Sequence, residues 1–204
     1  VNKVINTSNN LIVFVELIKK LGYASDQYYT RIVIKPQNNI AYELNNLPKE
    51  LYESKTYSVT LVDSTLYVAT SAGLFITQNL GESWLKTNTP KKFVEVVYSQ
   101  GLLFARILQN GHEKIDSTIY VSNDGGKSWN LFTKNLPNKS VYNNACSKIY
   151  ISGGAIYAII ENKLWYSPIN SPNWKRIDNS ENNITDEIEF TTVFEFGGNL
   201  FLGT

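Results

Sequence analysis

Two eight-residue segments of this chain have nearly the same sequence and lie one repeat apart. Residues 77–84 read TQNLGESW and residues 122–129 read SNDGGKSW, so both follow the pattern hydroxyl, any, Asp or Asn, any, Gly, any, Ser, Trp. Their tryptophans are 129 − 84 = 45 residues apart, and an eroded copy, SPINSPNW at 167–174, ends 174 − 129 = 45 residues later. Such a period is typical of folds built from stacked repeats, so it constrains the architecture before any single residue does.

Short apolar segments recur at the same places in each repeat and predict its strands. Segments reading aliphatic, aromatic, any, hydroxyl precede the three copies at 74–77, 119–122 and 164–167. Further strands are predicted upstream, in pairs joined by tight turns, at 57–61 and 66–69, 93–98 and 103–106, 148–152 and 156–159, and 191–196 and 200–203. A fourth strand is predicted to begin at each tryptophan. Four antiparallel strands in about 45 residues make a unit of the size of one propeller blade.

The N-terminal region follows the same template less closely. Strands are predicted there at 1–7, 11–17 and 29–35, and Tyr42 is predicted to take the place of the tryptophan. No helix is predicted, although 11–21 could pass for one. The predicted fold class is therefore all-β: a single β-propeller of four-stranded antiparallel blades, with about four blades and the first hairpin of a fifth. The predicted blade bounds are 1–49, 55–90, 93–136, 147–178 and, for the hairpin, 190–204.

The blade count and the composition lead to an expectation about completeness. Four and a half blades do not close a ring by ordinary counting. We expect the chain to be part of a longer propeller; the alternatives are that the last hairpin completes a five-bladed ring with an altered closure, or that a second copy closes it. The chain has no methionine, even at position 1, which favours a processed form or a fragment of a longer protein.

The repeated segment resembles the Asp-box, or bacterial neuraminidase repeat, of sialidase-like and sortilin-like β-propellers. The resemblance is close at 77–84 and 122–129 and degenerate at 167–174 and 35–42; Ile169 and Ser171 replace the acidic residue and the glycine, so a plain turn is expected there. An Asp or Asn in a turn accepts backbone hydrogen bonds, glycine allows otherwise closed conformations, and tryptophan buries a large surface. We therefore predict a scaffold role, rather than calcium ligation or acid catalysis, for Thr77, Asn79, Gly81, Trp84, Ser122, Asp124, Gly126, Trp129, Ser167 and Trp174.

Loop lengths indicate which end of the blades binds a partner. If the strands of a blade are called A to D from inside to outside, the A–B and C–D loops share one face, and the variable B–C and D–A loops share the other. Binding groups are usually carried on variable loops. The candidate binding residues are Tyr23, Tyr29, Arg106, His112, Glu113, Tyr142, Asp186 and Glu187. The tyrosines could stack on sugars or anchor a partner, or could equally be ordinary loop aromatics. His112 could be an acid/base group or one metal ligand, and the acidic loop at 178–189 could supply carboxylates, but both are more typical of solvated loops.

The residue inventory separates the functional alternatives. Sialidases of the resembled family need an arginine triad and an Arg-Ile-Pro segment, whereas this chain has three arginines and reads Arg31-Ile32-Val33. Sialidase activity is therefore not expected. The favoured hypothesis is a non-catalytic module that binds a protein or a glycan. The alternatives are a glycoside hydrolase whose site is completed by further blades, with acidic residues of 178–189 as its carboxylates, and a structural repeat of a secreted adhesin or assembly factor.

Charge and composition exclude other partners. The chain has 19 basic and 18 acidic residues and a net charge of +1, so nucleic acid is not an expected partner. Its apolar runs are too short for membrane insertion. Cys146 is the single cysteine, and no cofactor or metal motif is present, so no cofactor is expected. Glycosylation sequons begin at Asn6, Asn138 and Asn183 and fit an extracellular, periplasmic or cell-surface protein.

Overall fold

The computed structural model describes most of the chain, and what it describes is almost entirely β structure. The described residues are 3–7, 9–19, 26–89, 92–107, 119–136, 146–160, 163–177, 190–197 and 199–203. The strands are β1 (Lys3–Asn6), β2 (Asn10–Lys19), β3 (Gln27–Pro36), β4 (Tyr42–Glu43), β5 (Thr56–Val62), β6 (Thr65–Thr70), β7 (Gly73–Thr77), β8 (Leu85–Lys86), β9 (Phe93–Ser99), β10 (Leu102–Ile107), β11 (Ile119–Ser122), β12 (Asn130–Leu131), β13 (Cys146–Ser152), β14 (Ala155–Ile160), β15 (Lys163–Pro168), β16 (Lys175–Arg176), β17 (Thr192–Phe196) and β18 (Asn199–Gly203).

Within each sheet, the strands pair with their neighbours in the sequence. Four sheets have four strands each, in the orders β1-β2-β3-β4, β5-β6-β7-β8, β9-β10-β11-β12 and β13-β14-β15-β16, and β17 pairs with β18. Consecutive antiparallel pairing in fours is the topology of propeller blades. The predicted fold class, an all-β chain with four blades and a further hairpin, is therefore confirmed. The outer strands β8, β12 and β16 begin one residue after each tryptophan rather than at it.

The register of the first sheet corrects the prediction for Tyr42. Ile34 of β3 pairs with Tyr42, whereas Ile76 of β7 pairs with Leu85. The two paired residues are 42 − 34 = 8 positions apart in the first sheet and 85 − 76 = 9 positions apart in the second. Tyr42 therefore matches Leu85, and the tryptophan position falls on Ala41. The prediction is wrong because the first loop is one residue shorter, and Tyr42 remains 49% exposed.

A one-turn helix, α1 (Lys49–Tyr52), lies in the connection from the first sheet to the second and was not predicted. It follows Pro48, and its Leu51 is fully buried between the two sheets. Ser54 Oγ donates to Leu51 O at 2.7 Å and closes the turn. One turn is too short for a helical hydrophobic period to show in the sequence. Within the described part of the chain no helix is long and apolar enough to cross a membrane.

The chain divides into two compact units, Val1–Val96 and Val97–Thr204. In the first unit, alternate residues of β2 and β3 meet alternate residues of β5, β6 and β7, because side chains of a strand point to opposite faces in turn. The buried residues of this core are Ile12, Phe14, Ile32, Ile34, Leu51, Val59, Leu66, Val68 and Phe75.

The second unit has two apolar clusters. The larger one joins β10 and β11 to β13 and β14, and its buried members are Phe104, Ile119, Phe132, Leu136, Ile149, Ile156, Ala158, Ile160, Ile169 and Trp174. The smaller one joins β14 and β15 to the β17–β18 hairpin, and its buried members are Ile159, Leu164, Phe190 and Val193. In both units, therefore, the face of one sheet is covered by the face of the sheet that follows it.

Candidate functional site

The loop motif at 122–129 is organised from within by two side chains. Ser122 Oγ accepts a hydrogen bond from Gly126 N at 2.8 Å and donates to Asp124 Oδ1 at 2.8 Å. Ser122 is 1% exposed, so its hydroxyl is a buried centre on which the loop closes. The chain can turn this tightly because Gly125 and Gly126 both have positive φ, at 73° and 87°.

The carboxylate of Asp124 is fully used inside the same loop. Its Oδ1 also accepts from Lys127 N at 3.0 Å and Ser128 N at 2.9 Å, and its Oδ2 accepts from Ser128 Oγ at 2.5 Å. The bond from the Ser128 hydroxyl is the largest of the causes that hold the pKa of Asp124 well below its ordinary value. A carboxylate with this many donors is a turn organiser and a poor proton donor.

The copy at 77–84 repeats the arrangement with an amide in place of the carboxylate. Thr77 Oγ1 accepts from Gly81 N at 2.9 Å and donates to Asn79 Oδ1 at 3.0 Å, which accepts in turn from Ser83 N at 3.0 Å. Asn79 Nδ2 donates to Ser83 Oγ at 3.0 Å, where Asp124 accepts instead. Because an uncharged residue builds the same loop, the geometry does not depend on a negative charge or a cation.

The tryptophans that end the two loops differ in one polar contact. Trp129 Nε1 donates to Gly126 O at 3.1 Å. Trp84 Nε1 is buried and has no acceptor among the described residues. Both indoles are half-buried. They lie over the loops as packing groups.

The third copy forms a different loop. Ser167 Oγ keeps its role as an acceptor, but its donor is Asn173 N at 2.9 Å, six residues on. Ile169, at the position of the acidic residue, is 2% exposed and belongs to the larger core of the second unit. Trp174 is 2% exposed and donates from Nε1 to Phe132 O at 2.9 Å. The expected plain turn is thus a loop docked on the neighbouring sheet.

At the end of the first unit opposite the loop at 77–84, aromatic side chains lie around the connection after α1. The ring of Tyr29, at the start of β3, lies 5.4 Å from that of Tyr52, at the end of α1. Lys55 Nζ lies 5.3 Å from the ring centroid of Tyr28 and 5.7 Å from that of Tyr57. The contacts form two groups, because Tyr28 and Tyr29 are successive residues of β3 and their side chains point to opposite faces of the sheet. We call the four tyrosines of both groups, with Lys55, the tyrosine cluster. They come from β3, α1, the following connection and β5.

Hydrogen bonds beneath the tyrosine cluster fix its elements to each other. Thr30 is 1% exposed, and its Oγ1 lies 2.8 Å from both Ser54 O and Thr56 Oγ1. Thr56 N donates to Glu16 Oε1 of β2 at 3.2 Å. The aromatic rings therefore stand on a bonded frame, and Tyr52, 42% exposed, presents one of them to solvent.

The electrostatics of the tyrosine cluster are mixed. Burial raises the pKa of the Tyr57 phenol, and the neighbouring Tyr28 and Glu16 raise it further. Tyr57 is therefore a neutral hydroxyl at physiological pH, beside one ammonium group and one carboxyl group. The group of Tyr28, Tyr57 and Lys55 therefore offers aromatic faces, a cation and a hydrogen-bonding hydroxyl together.

The structure describes two of the sequence-predicted binding residues. Tyr29 belongs to the tyrosine cluster, and its Oη donates to Gln27 Oε1 at 3.0 Å. Arg106 lies in the second unit, in β10, where it pairs with Ile119 of β11. The remaining candidates lie outside the described residues: Tyr23, His112, Glu113, Tyr142, Asp186 and Glu187. The acidic loop at 178–189 lies outside them as well.

Sequence reasoning missed Tyr52, Lys55 and Tyr57. The available signal was the strand order, which places the connection from the first sheet to the second at the same end as the β2–β3 loop. In the described part of the chain, no group of three or more His, Cys, Asp or Glu side chains could hold a metal ion.

No protein-family model and no curated protein matches this chain. It is similar to the solved structure of YCF48 bound to D1 peptide over 97% of this chain and 80% of that one, at 10% identity and a TM-score of 0.41. It is similar to PorZ, a bacterial surface component of the type-IX secretion system of Porphyromonas gingivalis, over 86% of this chain and 27% of that one, at 12% identity and a TM-score of 0.55.

A third similar structure is the AfRom2 CNH domain, with 98% of this chain and 62% of that one covered, 10% identity and a TM-score of 0.52. This chain therefore spans under two thirds of the CNH-domain chain and about a quarter of the PorZ chain. PorZ and the CNH domain have β-propeller folds. At these identities the likeness concerns the fold alone, and it agrees with the observed sheets: the chain has a β-propeller fold.

Proposed function

We propose that this chain is a non-catalytic binding module that recognises a protein partner through the tyrosine cluster, with Asp-box loops as the scaffold at the other end of its blades. The observation that carries the proposal is that four tyrosines and Lys55 from separate elements lie at one end of the first unit in two contacting groups, Tyr29 with Tyr52, and Lys55 with Tyr28 and Tyr57. Tyrosine is enriched at protein interfaces because it adds a large apolar area and a hydroxyl at a low cost in side-chain entropy.

The loop motifs support a non-catalytic role for their own end of the blades. Asp124 has the carboxylate that a catalytic acid would need, but its oxygens are occupied by Ser122, Lys127 and Ser128. The equivalent Asn79 carries no titratable proton. A feature that recurs in successive repeats is expected to serve the repeat itself.

The test begins with peptides selected on the immobilised chain from a random-peptide display library. The affinity of a selected peptide is then measured for the wild type and for Tyr52→Ala and Tyr98→Ala. These two tyrosines are matched in exposure, at 42% and 43%, but Tyr98 lies in β9. We expect Tyr52→Ala to weaken binding at least about 10-fold, as at an interface hot spot, and Tyr98→Ala to leave it unchanged.

Three results would overturn the proposal. Equal binding by the Tyr52 and Tyr98 variants would place the peptide elsewhere on the molecule. Turnover of a glycoside from a substrate panel, lost on changing an acidic residue of 178–189, would make the chain a hydrolase. Selective binding to a glycan array that depends on Tyr52 would keep the surface but replace the protein partner by a sugar.

A further inference from the structure

The group of Tyr28, Tyr57 and Lys55 lies where the first and second sheets meet. Ile32 and Ile34 of β3 are buried in the core between these sheets, and Tyr28 lies on the same face because alternate residues of a strand share a face. Tyr57 belongs to β5, the first strand of the second sheet, and Lys55 lies just before that strand. The group therefore lies at the end of a core that two sheets of one unit share, and both sheets contribute to it.

The backbone of Lys55 is held in place from two sides. Lys55 N donates to Ser71 Oγ at 3.0 Å, and Ser71 N donates to Lys55 O at 2.9 Å. The residues before and after it, Ser54 and Thr56, are each hydrogen-bonded to a side chain of the first sheet. The side chain of Lys55 therefore starts from a fixed point, so ordering it on a partner costs less conformational entropy than at a mobile loop lysine.

The ammonium group of Lys55 has aromatic neighbours but no oxygen acceptor among the described residues. Its Nζ lies 5.3 Å from the ring centroid of Tyr28 and 5.7 Å from that of Tyr57. The ring faces attract the positive charge, but an ammonium group also has three N–H donors, which bond best to oxygen atoms. Because Lys55 is half-buried, an anionic group that reached it would be screened less than at a fully exposed lysine.

Other basic side chains of the first unit have the acceptors that Lys55 lacks. Each donates to oxygen atoms of the chain: Arg31 to Glu43, Lys86 to Glu50, and Lys35 to the carbonyl groups of Pro36 and Asn39. Glu16, whose carboxylate raises the pKa of Tyr57, accepts from Thr56 N instead. Residues 20–25, which follow β2, include no Asp or Glu. Lys55 is therefore available to an anionic group of a partner.

We propose that Lys55 binds a carboxylate group of the protein partner, and that Tyr28 and Tyr57 pack on the apolar atoms beside that carboxylate. This inference rests on the proposed function and names the chemistry of its partner, an acidic peptide. One ammonium group matches one carboxylate in charge. The carboxylate of Glu16 on the neighbouring strand disfavours a group of higher negative charge, such as a phosphate.

The experiment selects peptides from a random-peptide display library on the immobilised wild type and, separately, on Lys55→Met, which keeps an apolar side chain but removes the charge. Lys35→Met is the matched control, because Lys35 is also half-buried and lies at the other end of β3. Melting curves establish that both variants are folded. One peptide selected on the wild type is then synthesised with each Asp or Glu replaced by Asn or Gln in turn, and with a free or an amidated C-terminus.

We expect carboxylate groups to be enriched in the peptides selected on the wild type and not in those selected on Lys55→Met. Removing one carboxylate of the synthetic peptide should weaken its binding to the wild type at least about 10-fold, and Lys55→Met should weaken binding of the parent peptide similarly. The two changes together should cost no more than either alone, because both remove the same ion pair. Lys35→Met should bind as the wild type does. The amidated form tells whether the carboxylate belongs to a side chain or to the C-terminus.

Full affinity of Lys55→Met for the selected peptide would overturn the inference, as would a peptide that binds equally well without any of its carboxylates. The same peptide measured with Tyr52→Ala separates this failure from a failure of the proposed function. Weak binding by Tyr52→Ala with full binding by Lys55→Met would contradict only the role of Lys55. Full binding by both variants would contradict the proposed function itself.

Discussion

The intact loops at 77–84 and 122–129 and the eroded loop at 167–174 all end in tryptophan, yet they are held in place differently. In the intact loops an Asn or Asp side chain accepts the backbone hydrogen bonds of its own loop. In the eroded loop the equivalent Ile169 is buried in the core, and Trp174 donates to Phe132 of the preceding blade. A polar acceptor organises a loop locally, and its loss is offset by docking on a neighbour.

Removing the docked tryptophan should have the largest effect. Trp174 is 2% exposed, donates a buried hydrogen bond and lies 6.1 Å edge-on from Phe132. We expect Trp174→Ala to lower the free energy of unfolding by about 3–5 kcal/mol, as for a fully buried aromatic. The half-buried Trp129 is the matched control, and Trp129→Ala should cost clearly less. Urea unfolding measures both, and equal losses would contradict the distinction between docked and self-organised loops.

The close packing of an intact loop should give the second largest effect. Gly81 has a φ of 90°, and a Cβ placed on it would lie 2.3 Å from Leu44 Cδ1 and 3.3 Å from Trp84 Cζ2. Gly81→Ala should therefore cost about 2–4 kcal/mol, from backbone strain and overpacking together.

Gly101 provides the control for that substitution. Its φ is 82°, but a Cβ there would meet nothing within 4 Å. Gly101→Ala should cost only the backbone strain, about 1–2 kcal/mol. Equal losses of stability for Gly81→Ala and Gly101→Ala in urea unfolding would contradict a contribution of close packing at Gly81.

The charge of Asp124 should give the smallest effect, seen as a change in how stability depends on pH in acid. Its folded pKa is depressed, first by the Ser128 hydroxyl, so its contribution is present above the unfolded pKa near 3.8 and is lost as the pH falls below that value. Asp124→Asn should reduce the slope of the melting temperature against pH on the acid side of the curve. Asn79→Ala, which removes no titratable group, should lower the whole curve without changing its slope. An unchanged acid slope in Asp124→Asn would show that the carboxylate is not the acceptor described.

The difference between the intact loops and the eroded loop also shows how much of the fold the sequence predicts. The 45-residue spacing of Trp84, Trp129 and Trp174 placed the strands, because strand pairing follows chain order in a meander. It did not foresee the shorter β3–β4 loop that displaces Tyr42, since a one-residue deletion leaves no mark in a degenerate repeat. Nor did it foresee the docking of Ile169, which depends on the surface of another sheet.

The tyrosine cluster was partly foreseen. The sequence predicts Tyr29 as a binding residue because it follows a variable loop. It does not predict Tyr52 or Lys55, because α1 is a single turn and its position is set by the burial of Leu51 rather than by a local pattern. Contacts between residues far apart in the sequence decide which aromatic rings meet.

The most direct test of the account compares the two ends of the blades in one binding measurement. The affinity of a peptide selected on the wild-type chain is determined for Tyr52→Ala and for Asp124→Asn, with melting curves to establish that both are folded. We expect the first variant to lose at least about 10-fold in affinity and the second to bind as the wild type does. Loss of binding in Asp124→Asn with full affinity in Tyr52→Ala would contradict the account, because the loop motif would then be the site and the tyrosine cluster the scaffold.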